Sequence, residues 1–545
     1  MQGLMQDIPL TLVHAFERCE RLFGAKTVVT ATGNGTTSIT YAEWADRTRR
    51  LGGVFDDLGL EPGARVATFG WNTARHLELY FAAPCSGRVL HTLNIRLFAE
   101  QLVFIANHAE DRAIFCDRSL LPLLWPLVDE MTSVRHIVVM DDSGGAPDAP
   151  EIPNDPRISD YEALLSTASA ATWDVRDERQ AASMCYTSGT TGNPKGVVYS
   201  HRSSLLHAMG ALTADSIGLS ERDIVLPVVP MFHANAWGLA HAAVLCGAAQ
   251  VMPGPDLSPA ALGRLISSQR VTLSGGVPTI LSGLLPLIES GEVDVSSLRT
   301  LLCGGSAVPR ALMEGYQRQG VWISHAWGMT ETSPIASVSR VKSSLGTLST
   351  EQEVDCRLTQ GLPSPLVDTR IVEPGTTTDL PWDGEATGEL QVRGPWIAAD
   401  YYRLEGSSES PSTADGWLRT GDVAAIDPEG YIRLVDRTKD LVKSGGEWIS
   451  SVELENAIMG HPDVVEAAVV GVPHPKWDER PLACVVLKPG ASLSRDELRA
   501  YLDGKVAKWW LPDDVVVIDT VPKTSVGKFD KKVLRQQFAA HHLPA

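Results

Sequence analysis

Tyr186-Thr187-Ser188-Gly189-Thr190-Thr191-Gly192-Asn193-Pro194-Lys195-Gly196 is the stretch on which the reading of this chain turns. Gly189, Gly192 and Gly196 reach backbone angles closed to other residues, which lets successive N–H groups turn toward an anion. Thr187, Ser188, Thr190 and Thr191 add hydroxyl donors, and Lys195 adds a mobile positive charge. The apolar segment 181–186 before the loop and Val197-Val198-Tyr199 after it have strand character, so the loop is expected between extended segments. A flexible surface loop is also rich in Gly, Ser and Thr. This combination of small residues with a lysine at its end reads instead as a polyphosphate clamp. It is not the P-loop G-x-x-x-x-G-K-[ST], because Lys195 is followed by Gly196 rather than by a hydroxyl residue.

The string closely resembles the signature of the adenylate-forming acyl-CoA synthetases, a superfamily that also holds peptide-synthetase adenylation domains and firefly luciferase. The resemblance implies an α/β fold. A large N-terminal domain of two αβ subdomains plus a small β-barrel would carry a small, mobile α+β C-terminal cap. It also implies ATP, Mg²⁺ and coenzyme A.

Length and composition agree with that expectation. A chain of 545 residues exceeds one ordinary core, so at least two domains are expected. The first residues lack the basic and apolar regions of a signal peptide, and no run approaches a membrane span, which predicts a cytoplasmic protein. The eight cysteines are scattered without a C-x-x-C pair or a Cys/His cluster, so neither a disulfide framework nor a zinc site is indicated. A formal charge of −19 argues against nucleic acid as a partner. Anionic substrates must then be held by local features: backbone N–H arrays, Lys195, Arg437, Lys443, Lys528 and bound magnesium.

Along the chain, strand candidates at Ala64–Phe69 and His136–Met140 are followed by a surface loop at Asp141–Pro156. The middle region alternates strand and helix, as in 250–252, 258–268 and 271–273, which suits a parallel sheet covered by helices. From about Asp368 to Arg437 short strands separated by turns suggest a small β-barrel. After Lys439 a compact α/β segment begins. It has strands at 465–470 and 483–487, a helix opened by the capping-box pair Ser494 and Glu497, and a last helix carrying Phe529, Val533, Leu534 and Phe538, apolar positions expected in the core. Leu498, Leu502 and Val506 are expected on one face of the Ser494 helix. The domains are therefore expected at 1–437, holding the ATP and acyl pockets, and 438–545, the cap.

Further motifs describe one site. Leu301–Ala307 is an apolar strand ending in a glycine turn at Gly304-Gly305-Ser306-Ala307, suited to close approach of a flat ligand. The segment His325-Ala326-Trp327-Gly328-Met329-Thr330-Glu331 offers an aromatic to cover adenine and a carboxylate for magnesium. Alone, Trp327 reads equally as core and Glu331 as a solvated helix start. By resemblance Thr187 is the second magnesium ligand, Asp422 and Arg437 contact the ribose, Lys439 is the hinge, and Lys528 is the catalytic lysine. Lys195, Glu331, Thr187 and His233 complete the catalytic set. Pro230–Gly238 resembles the motif of medium- and long-chain fatty acyl-CoA synthetases, which implies that His233 neighbours the substrate carboxylate and that Trp237 lines or gates the acyl tunnel, with Gly305, Gly328 and Met329 as further acyl contacts. Trp237 also reads as plain core. Lys443-Ser444-Gly445-Gly446 and Trp448 resemble the loop beside the thiol of coenzyme A. At Asp478 the chain departs from the family, which commonly has glycine there.

The function expected is an ATP- and Mg²⁺-dependent acid–thiol ligase acting on a medium- or long-chain fatty acid or a related small aliphatic or aryl acid. The alternative keeps adenylation but passes the acyl group to an amine or carrier protein, or activates a small oxyanion such as nitrite. The resemblance also allows a homodimer.

Overall fold

The computed structural model describes residues 1, 3–33, 35–144, 146–187, 193–403, 410–437, 439–444, 447–523 and 529–544, with the side chains at 447 and 448 excepted. Two large sheets and their covering helices make up most of the chain. The first has seven strands in the order Ile158–Asp160, His136–Met140, Asp111–Asp117, Arg65–Phe69, Val89–Thr92, Ala181–Tyr186 and Gly196–Ser200. All its pairings are parallel except the last, a hairpin that pairs Tyr186 with Gly196. The second has nine strands with a parallel centre, running from Leu362–Pro363 at one edge to the N-terminal hairpin Thr27–Thr32 and Gly35–Thr40 at the other.

One apolar core joins the two sheets. Phe115 and Val138 of the first sheet and Val28 and Met252 of the second share it with Phe16, Trp44 and Phe81 from three covering helices. Trp44 meets Phe81 edge to face with centroids 5.4 Å apart, a geometry that adds about 0.5–1.5 kcal/mol to area burial. The helix Tyr41–Asp57 enters this core at an angle set by a full capping box between Thr40 and Glu43.

The segment expected to form a small β-barrel has as its frame a four-stranded antiparallel sheet in sequence order: Asp368–Val372, Gly388–Arg393, Leu418–Ile426 and Ile432–Arg437. Single bridges, Val372 to Asp379 and Gly361 to Ile432, extend its two edges.

The C-terminal unit is a five-stranded sheet with Asp478–Leu487 at its centre, flanked by helices Ser451–Met459, Arg495–Leu502 and Lys531–Gln537. The predicted capping box at Ser494 and Glu497 is formed. The hairpin strands, Val464–His474 and Asp478–Leu487, run longer than expected. Val506 lies beyond the helix, and Phe529 and Phe538 flank the last helix while packing on its core. Val533 departs from its predicted core role: it is 42% exposed, because the short last helix buries only the face carrying Lys531 and Leu534. The strand expected at 271–273 is Leu273–Gly276, shifted because Val271 still belongs to the turn closing the preceding helix.

Asp478 turns the tight end of that hairpin with φ of 69°. The left-handed angle explains the glycine expected there, and aspartate is among the residues that tolerate it best.

Candidate active site

The candidate motifs converge because their loops leave the carboxyl ends of strands in the two sheets, the edge at which open α/β sheets bind ligands. The phosphate loop follows Ala181–Tyr186, the glycine turn follows Thr300–Cys303, and Met329–Glu331 follows Ile323–Gly328. The loop 187–195 spans a hairpin, as expected from the strands on either side. Its neck is closed by Thr187 N–H donating to the Lys195 carbonyl at 2.9 Å and by Lys195 N–H donating to Thr187 Oγ1 at 3.3 Å. Ser188, Gly189, Thr190, Thr191 and Gly192 lie outside the described residues.

Across from this neck sits a residue that no sequence motif singled out. Tyr401 presents its ring 4.8 Å from Lys195 Nζ and donates its hydroxyl to Glu331 Oε1 at 2.6 Å. Glu331 is 5% exposed, so it is not a solvated helix start. Its turn is fixed from both sides: Tyr199 donates to the Thr330 carbonyl at 2.8 Å, and Ala398 N–H donates to the Glu331 carbonyl at 2.8 Å. Burial and the Glu331 carboxylate push the Tyr401 phenol well above its ordinary range, so the hydroxyl stays a donor.

A second constellation lies where the four-stranded sheet meets the large sheet. Trp327 Nε1 donates to Asp422 Oδ2 at 2.9 Å, and Arg437 Nε lies 3.3 Å from Asp422 Oδ1. Asp422 and Arg437 are also cross-strand partners. Three residues picked from separate motifs thus form one connected group, with Asp422 buried. The glycines at these strand ends are sterically required: a Cβ at Gly304 would lie 2.5 Å from the Ala326 carbonyl, and one at Gly328 would lie 1.7 Å from that of Pro334. Gly305 takes a left-handed φ of 84°. His325 is buried, and its Nδ1 donates to the Leu358 carbonyl at 3.0 Å, which turns that edge of the ring into the scaffold. Met329 N–H is held by Thr332 Oγ1 at 2.8 Å.

At the candidate acyl side, the segment after Pro230 folds into a left-handed turn. Ala234, Asn235, Ala236, Trp237 and Gly238 have φ of 41°, 52°, 52°, 56° and 73°. His233 precedes this turn in extended conformation. Trp237 is 8% exposed, and a Cβ on Gly304 would sit 3.4 Å from its ring, so the turn faces the glycine turn that follows Thr300–Cys303.

The candidate thiol-side residues belong to the C-terminal sheet. Lys443 pairs with Trp448 across a short hairpin, Lys443 N–H donates to Glu479 Oε2 at 3.0 Å, and Ser444 Oγ accepts from Arg480 at 2.9 Å. Gly445, Gly446 and the Trp448 side chain lie outside the described residues. So does Lys528; on either side of its segment, Asp530 N–H donates to the Pro522 carbonyl at 2.8 Å. Lys439 is exposed, and its carbonyl accepts from Arg535 at 3.2 Å. The seam beside it is built on Asp436, whose carboxylate accepts from Ser451 N–H at 2.6 Å. Lys531 reaches Ser451 Oγ at 2.6 Å and Glu455 at 2.8 Å.

The fold and this site define an adenylate-forming enzyme. The chain belongs to the AMP-binding enzymes, whose model matches residues 16–402, with the C-terminal domain of the same enzymes matching 453–528. It is an AMP-forming acyl-CoA ligase, of a family that uses ATP, Mg²⁺ and coenzyme A.

Over 541 residues it is 46% identical to the 3-methylmercaptopropionyl-CoA ligase of Ruegeria pomeroyi, covering 99% of each chain. It is 48% identical to the long-chain-fatty-acid–CoA ligase of Thermus thermophilus, covering 99% of this chain and 97% of that one. The crystal structure of ATP-bound MatB from Rhodopseudomonas palustris superposes with a TM-score of 0.81 at 26% identity, covering 97% of this chain and 99% of the other. No helix among the described residues is long and apolar enough to cross a membrane.

Proposed function

We propose that the chain activates a medium- or long-chain fatty acid, or a related small acid, in two steps at the site assembled above. The observation that carries the reading is the Lys195–Tyr401–Glu331 group beside the neck of the phosphate loop, together with Trp327–Asp422–Arg437 on the nucleotide side. The names of the two relatives above support the acid classes.

In the first step a carboxylate oxygen attacks the α-phosphorus of ATP, the bond from that phosphorus to the bridging oxygen breaks, and pyrophosphate leaves. Lys195 and the loop hold the polyphosphate, Asp422 accepts the ribose hydroxyls with Arg437 beside it, and Trp327 covers the adenine from Gly304–Ala307. His233, with Gly305 and Met329, faces the acid. Glu331 and Thr187 offer oxygen donors only, the donor type a hard cation such as Mg²⁺ prefers; bound with phosphate oxygens and water, it would offset charge on the phosphates. Lys528 stabilises the charge that builds when two anions meet.

In the second step the thiol sulfur of coenzyme A attacks the acyl carbon, the bond to AMP breaks, and the thiol proton is lost. The cap, 438–545, turns about Lys439 between the steps and brings the 443–448 loop to the site. Location in the cytoplasm and assembly as a homodimer are further expectations of the same reading. Lys528→Ala should slow adenylate formation by several orders of magnitude yet leave thioester formation from synthetic acyl-adenylate largely intact. Equal damage to both half-reactions refutes the assignment.

A further inference from the structure

The left-handed turn at 234–238 is expensive. Four of its five residues carry a Cβ, and each such residue costs on the order of 1–2 kcal/mol in that conformation. Local strain of this kind persists only where the surroundings over-determine it, and three contacts here do so. Gly238 lies against His207, where a Cβ would come within 2.4 Å of the ring. Trp237 packs toward Gly304. The third contact is polar: the Asn235 amide crosses from the nine-stranded sheet's connection to the seven-stranded sheet, donating Nδ2–H to Ser183 Oγ at 2.9 Å and accepting at Oδ1 from the Cys185 thiol at 3.1 Å.

Ser183 and Cys185 belong to the strand that ends at Tyr186 and opens directly into the phosphate loop. Asn235 is buried, and burial pushes the Cys185 thiol up to about 11, so the sulfur stays protonated and can donate. Asparagine suits the position twice over: it tolerates the left-handed region better than most residues with a Cβ, and its amide offers a donor and an acceptor together.

We propose that Asn235 is a positioning residue for adenylation, fixing the acid-side turn to the strand that presents the phosphate loop. This rests on the reading of Pro230–Gly238 as the acid side. The attacking carboxylate and the α-phosphate are held by segments from different sheets, and this amide is a buried polar bond joining those segments. A misplacement of about 1 Å between reacting groups costs on the order of 10²-fold in rate.

The test uses the full-length enzyme in acid-dependent ATP–pyrophosphate exchange, with the best-used acid from a straight-chain panel from butyrate to palmitate. Asn235→Gly keeps access to the left-handed backbone and removes the link. It should lower kcat by about 10²-fold, with the KM for ATP and the melting temperature little changed. Ser183→Ala cuts the same bond from the other side and keeps the test open if Asn235→Gly fails to fold. It should also lower kcat, and the double variant should lose no more than the worse single variant. Exchange at the wild-type rate in Asn235→Gly or in Ser183→Ala overturns the proposal, as does full additivity of the two losses. A loss seen only as a fall in melting temperature also overturns it. Trp237→Ala checks the underlying reading separately: unchanged acid preference there removes the acid-side assignment, whereas a silent Asn235→Gly in a Trp237-sensitive enzyme removes this proposal alone.

Discussion

Tyr401→Phe isolates the chemistry of one hydroxyl beside the phosphate loop. The substitution leaves the ring that faces Lys195 at 4.8 Å, so the cation–π attraction, about 0.5–2 kcal/mol, survives. It removes the hydroxyl that donates to Glu331 at 2.6 Å. A hydrogen bond to a charged group contributes about 1.5–3 kcal/mol, and a buried partner left unsatisfied adds to the loss. At roughly 1.4 kcal/mol per decade, kcat/KM for ATP should fall by about 10- to 150-fold. Glu331 would also lose the contact that fixes its orientation, so the Mg²⁺ concentration giving half-maximal rate should rise. Pyrophosphate exchange measured across a Mg²⁺ titration reads both effects, and Tyr401→Ala, which lacks the ring as well, should be weaker still. A Tyr401→Phe enzyme within twofold of wild type at every Mg²⁺ concentration would show that the hydroxyl does not orient Glu331 for catalysis.

Lys439→Pro keeps the carbonyl that accepts from Arg535 but fixes one backbone torsion; it should retain pyrophosphate exchange and lose most thioester formation from preformed adenylate, and proficiency in both steps would place the hinge elsewhere. Trp237→Ala should shift preference among acids while sparing ATP affinity, whereas a steep fall in melting temperature with an unchanged acid profile would make Trp237 a core residue only. Burial pushes the Asp117 carboxyl up to about 8, above its unfolded value of about 3.9. Its contribution to stability is therefore present below pH ~4 and lost as pH rises toward 8. Asp117→Asn should remove this slope, so the melting temperature of the variant relative to wild type should climb between pH 5 and pH 8; parallel curves would refute the shift.

Features governed by local rules were legible in the sequence. The capping box at Ser494 and Glu497 follows from spacing alone, and so does the loop between two strands at 187–195. At 478 the sequence showed only a departure from the family's glycine, and the left-handed angle behind that preference came from the structure. Tyr401 could not be read, because its partner Glu331 lies 70 residues away in sequence and an adjacent pair of tyrosines carries no local signal. The left-handed turn was equally hidden. Ala234, Ala236 and Trp237 have no preference for positive φ, and only packing between the two sheets imposes it. Val533 differs from its reading because it stands inside the last helix but off the one face, carrying Lys531 and Leu534, that the helix buries.

The eight free cysteines are all buried or half-buried. An acyl-adenylate is a mixed anhydride, reactive toward any thiolate within reach. Cys185 is the cysteine beneath the loop neck, and its sulfur is protonated and engaged with Asn235. Burial likewise lifts the thiols of Cys85, Cys116 and Cys303. The protein can thus generate a strong acylating agent without offering it a nucleophilic sulfur of its own, so that self-modification does not compete with the sulfur delivered by the second substrate.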